Sequence, residues 1–115
     1  MVEIEHNIDD VINSLERSVE KAIKAAEKEL QLTALEIERD AKLNAPVDTG
    51  MLRASITSTG SGSEYEIGTN LEYAPFVEYG TRYMAAQPFL FPAYEKGVRD
   101  LQKRLKKAVI FAFLR

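Results

Sequence analysis

Apolar residues in the first third of the chain recur at spacings of three and four: Ile8, Val11, Ile12, Leu15, Val19, Ala22, Ile23, Ala26, Leu30, Ala34, Ile37 and Ala41. That spacing draws one stripe along a 3.6-residue helix. Neither glycine nor proline interrupts it, and Asn7 stands at its head as a cap, with Asp9 and Asp10 facing the helix dipole. Pro46 disfavours helical geometry at Ala45, so the pattern predicts one helix over residues 7–44. At ~1.5 Å per residue it would reach ~55 Å, whereas a compact chain of this length is only ~35 Å across. The helix must therefore overhang the domain, bend or break. An overhanging apolar stripe needs cover, and we expect another subunit to provide it; the alternative is a kinked helix folding back on its own domain. Leu32 and Leu35 fall off the stripe and small residues occupy much of it, which disfavours a parallel coiled coil.

The period changes over residues 46–91. Ser55 to Thr59 is β-branched and small, and Leu52, Ala54 and Ile56 alternate with Arg53 and Ser55, predicting a strand. Thr59 to Ser63 reads as a flexible hairpin connection, longer than two residues. Glu64 to Thr69 alternates Tyr65 and Ile67 with acidic residues and predicts a second strand. Over Ala74 to Tyr79, Phe76 and Ala74 are expected inside, with Val77 and Tyr79 opposite; Pro75 permits a short helical turn or an edge strand. Gly80 permits a tight turn, and Phe89-Leu90-Phe91 is expected to close the sheet. Pro92 then suits the first turn of a second long helix over residues 92–112, with Tyr94, Val98, Leu101, Leu105, Ala108 and Val109 on its buried face. Gly97 weakens that helix by about 1 kcal/mol relative to alanine, unless close packing requires a missing side chain there. The apolar tail Ile110 to Leu114 must pack on the core or on a neighbour. The expected fold is α+β: a single domain with a small, mainly antiparallel sheet of three to four strands, packed by a long N-terminal and a C-terminal helix.

Composition narrows the function classes. The chain has 115 residues and no cysteine, so disulfides and thiolate metal sites are excluded. The one histidine, His6, reads as a solvated residue near the N-terminus. No apolar run is long enough to span a bilayer, and the acidic opening MVEIEHNIDD does not have the order of a signal peptide. Charge is segregated: residues 1–40 hold eleven Asp and Glu against five Lys and Arg, and residues 81–115 hold two against eight. Acidic and basic ends suit either head-to-tail packing of subunits or pairing of the two helices with each other.

Candidate chemistry is sparse. Asp48-Thr49-Gly50 has the form of an aspartic-protease triplet, which would act in a homodimer. Here it follows a long helix and Ala-Pro instead of an apolar strand, and no second glycine-terminated apolar strand follows. The simpler reading is a turn capped by Asp48 or Thr49, with Gly50 at an unusual backbone angle. Arg53 and Glu78 lie inside aromatic or aliphatic segments, where an unpaired charge is costly, and are expected to pair as a structural lock. The basic run Lys103, Arg104, Lys106 and Lys107 is a single helix face without aromatic interleaving, so it reads as solvated and not as a nucleic-acid site. No phosphate loop or metal cluster is evident, and no cofactor is expected.

Three motifs stand in order: Ala45 to Ile56 (APVDTGMLRASI), Gly68 to Thr81 (GTNLEYAPFVEYGT) and Pro88 to Ala93 (PFLFPA). Together they resemble the small tailed-bacteriophage proteins called neck, head–tail joining, tail-completion or minor tail component proteins. The resemblance covers about half of the chain, with a helix on either side. It implies a structural virion protein without enzymatic activity, assembling as a ring, commonly sixfold, at the head–tail junction or tail terminus. Its implied partners are further copies of itself, portal or head-completion proteins, the tail-tube protein and DNA passing non-specifically through the lumen, with no membrane. The implied location is the virion, and the host cytoplasm during assembly. Asp48, Thr49, Gly50, Arg53, Tyr73, Glu78, Gly80, Thr81, Pro88, Phe89 and Pro92 are the expected structural and assembly residues. A non-viral adaptor docking through the long helix is the remaining alternative.

Overall fold

The computed structural model describes residues 7–46 and 50–114. The N-terminal stripe forms one unbroken helix, α1 (Ile8–Asn44). The side chain of Asn7 caps it, accepting from the Asp10 N–H at 2.9 Å. The helix stops at Ala45, which is extended (φ −66°, ψ 135°) as a residue before proline must be. Of the three outcomes left open, overhang is the one found. The principal extents are 83 × 20 × 19 Å and the radius of gyration is 21.1 Å, against ~13 Å for a compact chain of this length.

A short helix follows, α2 (Met51–Ser55), then β1 (Thr57–Ser61), β2 (Glu64–Gly68), the short α3 (Ala74–Tyr79) and the long α4 (Phe91–Leu114). The fold is α+β with two long helices, but the sheet has two antiparallel strands among the described residues, not the expected three to four. The first expected strand forms but begins later, at Thr57, because residues 51–55 are helical, and that shift and each missing strand have a local cause. Leu52 and Ile56, expected to alternate along a strand, are buried together with Ala54 exposed between them. That is the four-residue spacing of a helical turn. Pro75 sits in the first turn of α3, where its fixed φ suits a helix. Phe89-Leu90-Phe91 is not a strand, because Phe91 already begins α4.

The hairpin is tighter than expected. Ser61 pairs with Glu64, leaving Gly62 and Ser63 as a two-residue loop. Gly62 has φ +60°, the positive angle that the first loop position of a type II′ turn demands.

Within α3 the expected faces are rearranged: Ala74 is buried and Val77 half-buried, while Phe76 is exposed. The helical spacing of three puts Ala74 and Val77 on the same side.

The core lies where the end of α1 meets the start of α4. Ile37, Ala41, Ala45, Leu52, Ile56, Ala74, Phe89 and Ala93 form it, with Ile67, Leu71, Val77 and Leu90 packed around them. From there α4 runs back antiparallel along α1. A Cβ at Gly97 would collide with the side chain of Ile37, so the missing side chain lets the two helices approach closely there. Further along, Arg104 reaches Thr33, Glu36 and Glu29 of α1. The expected buried face of α4 is shifted: Ala93, Gly97 and Ala112 are buried, Tyr94 is half exposed, and Val98, Leu101, Leu105, Ala108 and Val109 are intermediate.

Candidate assembly surface and the junction behind it

Two charged residues of the motifs, Arg53 and Glu78, are partly buried and act on helix ends. The last carbonyls of α1 lack intrahelical partners, and Arg53 Nε donates to one of them, the Lys42 carbonyl, at 2.8 Å. The first N–H groups of α4 lack partners in the same way. Glu78 takes three of this junction's N–H groups: Phe89 at 3.1 Å, Leu90 at 2.9 Å and Phe91 at 3.2 Å. The expected Arg53–Glu78 ion pair is therefore not formed. Each charge instead sits at the helix pole of opposite sign, where dipole and unsatisfied groups favour it. Asn44 Nδ2 adds a bond to the Phe89 carbonyl at 3.3 Å. Residues from all three motifs thus clamp the end of α1 against the start of α4.

The other expected residues that are described lie around this junction, in turns, in the core or at the surface. Gly50 adopts φ 77° ahead of α2, as its reading as a backbone special requires. Gly80 ends α3 at φ 79°, where a Cβ would come within 2.7 Å of the Ala86 N–H nitrogen. Thr81 holds the following turn: its N–H donates to the Met84 carbonyl at 2.8 Å, and its Oγ1 accepts from Tyr83 at 3.2 Å. Phe89 is 1% exposed and fills the core. Tyr73 stands partly exposed before α3, and Pro88 and Pro92 are exposed on either side of the α4 start. Asp48, Thr49 and His6 lie outside the described residues.

One residue with a structural role was hidden in the basic run. Arg104 donates from Nη1 to Glu36 Oε1 at 2.7 Å and from Nη2 to Thr33 Oγ1 at 2.6 Å. Its Nε faces Glu29 Oε2 at 3.4 Å. The hydrogen bond to Glu36 raises its pKa above the ordinary arginine value. Lys103, Lys106 and Lys107 remain exposed, as expected. Arg104 alone falls on the α1-facing side of the helix, and the period carried by Leu101, Leu105 and Ala108 was the signal that could have separated it.

Two kinds of apolar surface are left. The first is a groove of about 580 Å³ between β2, α3 and the start of α4, lined by Ile37, Tyr65, Ile67, Leu71, Phe89 and Tyr94 among others. The second is the unaccompanied part of α1. Ile8 (72% exposed), Val11, Ile12, Leu15 (58%), Val19 and Ile23 all face solvent, although their stripe continues the one on which α4 lies. Ile110, Phe113 and Leu114 at the far end of α4 are exposed as well, so this part of the tail does not pack on the core. Among the described residues no cluster of His, Cys, Asp or Glu could hold a metal ion, and no helix is long and apolar enough to cross a membrane.

Such an arrangement defines a class: a small structural element, clamped at one end and presenting uncovered apolar helix along the other. The family model described as "Bacteriophage HK97-gp10, putative tail-component" matches residues 9–80, and the chain belongs to this HK97-gp10-like family. The resemblance carried by the three motifs is thereby confirmed at the level of family, although the match ends before Pro88 to Ala93. The chain is a phage tail-related structural protein, and a tail component belongs to the virion. Neither a curated protein nor a solved structure matches it at a significant level.

Proposed function

We propose that the chain assembles with copies of itself into a ring, commonly sixfold, at the head–tail junction or tail terminus, and that DNA passes through its lumen. In this reading the protein has no catalytic role. It works in the virion after assembly in the host cytoplasm, against portal or head-completion proteins on one side and the tail tube on the other.

One observation supports self-assembly above the rest. The first half of α1 projects past the folded body with its apolar stripe uncovered. Leaving that stripe in water is unfavourable, at roughly 25 cal/mol per Å² of apolar surface, and a contiguous exposed apolar face marks an interaction site. A repeated contact between two different faces of one subunit closes into a ring when its rotation permits.

Electron microscopy of tail tubes mixed with the purified chain tests this reading. A ring of copies capping the tube end is expected; bare tube ends with the chain left in solution would overturn it. Asp48→Asn separates the reading from a protease: assembly should proceed as in the unaltered chain, with no change in any cleavage of tail proteins.

A further inference from the structure

The uncovered half of α1 has an asymmetric border. Asp9, Glu16 and Glu20 are spaced seven and four apart, so they run along one side of the stripe formed by Ile8, Ile12, Leu15 and Val19. All three carboxylates are exposed, and none pairs with a cation among the described residues.

The far end of α4 carries the complementary pattern. With Gly97, Arg104 and Ala112 turned toward α1, the 3.6-residue period puts Lys103, Lys106 and Lys107 on the outward face with Ile110, Phe113 and Leu114. The three lysines are exposed and pair with no carboxylate among the described residues. One surface is thus an apolar strip with an acidic edge, and the other an apolar tip beside a basic patch.

The two cannot meet within one chain. Arg104 lies against Glu29, Thr33 and Glu36, and the eight residues from Arg104 to Ala112 carry α4 only ~12 Å further. That brings its end to about the level of Ala22, which is buried, as is Ala112. Residues 8 to about 19 project beyond it.

We propose that the projecting half of α1 docks on the outward face of the α4 end in a second copy of this chain, acidic edge against Lys103, Lys106 and Lys107. The contact joins two different faces, so each copy can accept one neighbour and engage another. It rests on the self-assembly reading and names the surfaces that the ring would use. Charge of opposite sign sets the register and speeds encounter; the apolar side chains supply the hold.

Because the chain has no native cysteine, cross-linking tests the contact cleanly. The full chain carrying both Leu15→Cys and Ile110→Cys is treated at high concentration with a bis-maleimide. A ladder of dimers, trimers and higher species is expected. Leu15→Cys alone should give none, and Leu15→Cys with Ser61→Cys, at the distant hairpin, should give none. Reversing the charges in the doubly substituted chain (Lys103→Glu, Lys106→Glu and Lys107→Glu) should abolish the ladder. Adding Asp9→Lys, Glu16→Lys and Glu20→Lys to that chain should restore it. Dimers from Leu15→Cys alone would overturn the proposal in favour of two projecting helices pairing with each other. Absence of any ladder, or an equal ladder from the Ser61 pair, would overturn it outright. The ring reading fails differently, when the unaltered chain leaves tail-tube ends bare.

Discussion

Glu78 shows how much a single side chain carries here. It lies in α3 yet supplies acceptors to backbone N–H groups eleven to thirteen residues further on, through a loop whose residues 81–88 are all exposed. Its carboxylate is the bond between the second and third motifs. Glu78→Ala should lower the unfolding free energy by about 1–3 kcal/mol, because three donors lose a charged acceptor at once. Glu78→Gln keeps one oxygen and should lose less. Denaturant titration of the three proteins checks the order. At this scale the sequence was half legible. That Arg53 and Glu78 were structural followed from charges set among apolar neighbours. Their partners did not follow, because the competing acceptors and donors are backbone groups at helix ends, which no side-chain pattern displays.

Helices are the elements the chain encodes most openly. The stripe, the Asn7 cap and the stop before Pro46 place α1 at Ile8–Asn44, and Pro92 marks the first turn of α4. The sheet was less legible: a run such as Leu52 to Ile56 satisfies a period of two and a spacing of four at once, and burial decides between them. Gly97 is the element-scale test. In an isolated helix, replacing glycine by alanine would gain about 1 kcal/mol. Here the new Cβ would collide with Ile37, so Gly97→Ala should instead destabilise by about 1–3 kcal/mol, the usual penalty of overpacking. Adding Ile37→Val should recover part of the loss. Thermal unfolding of the single and double variants measures both; a Gly97→Ala protein more stable than the parent would show that the helices are not held at this distance.

Considered whole, the molecule is two things joined end to end. One is a clamped core where the motifs gather, and the other is a projecting helix that the other described residues leave uncovered. The motifs that resemble a phage tail component are the ones that gather at the junction. The surface we propose for assembly lies instead on the helices, whose pattern is shared with many proteins. Segregated charge was legible from the beginning, and pairing of the two helices with each other is the reading found in the fold. Arg104 with Glu29 and Glu36 pairs the two helices of one chain, while Asp9, Glu16 and Glu20 and the exposed lysines form no ion pair among the described residues and are the ones we assign to a neighbour.

The central claim is that this chain is an assembling tail component whose projecting helix joins its copies, and native mass measurement in the presence and absence of tail-tube protein tests it most directly. With the tube protein present, the unaltered chain should appear as a closed multiple of its 12.9 kDa subunit. A form carrying Leu15→Asp and Val19→Asp should remain a single subunit while unfolding at nearly the same denaturant concentration, since both side chains are exposed. A 12.9 kDa species alone for the unaltered chain, with and without tail-tube protein, would contradict the account.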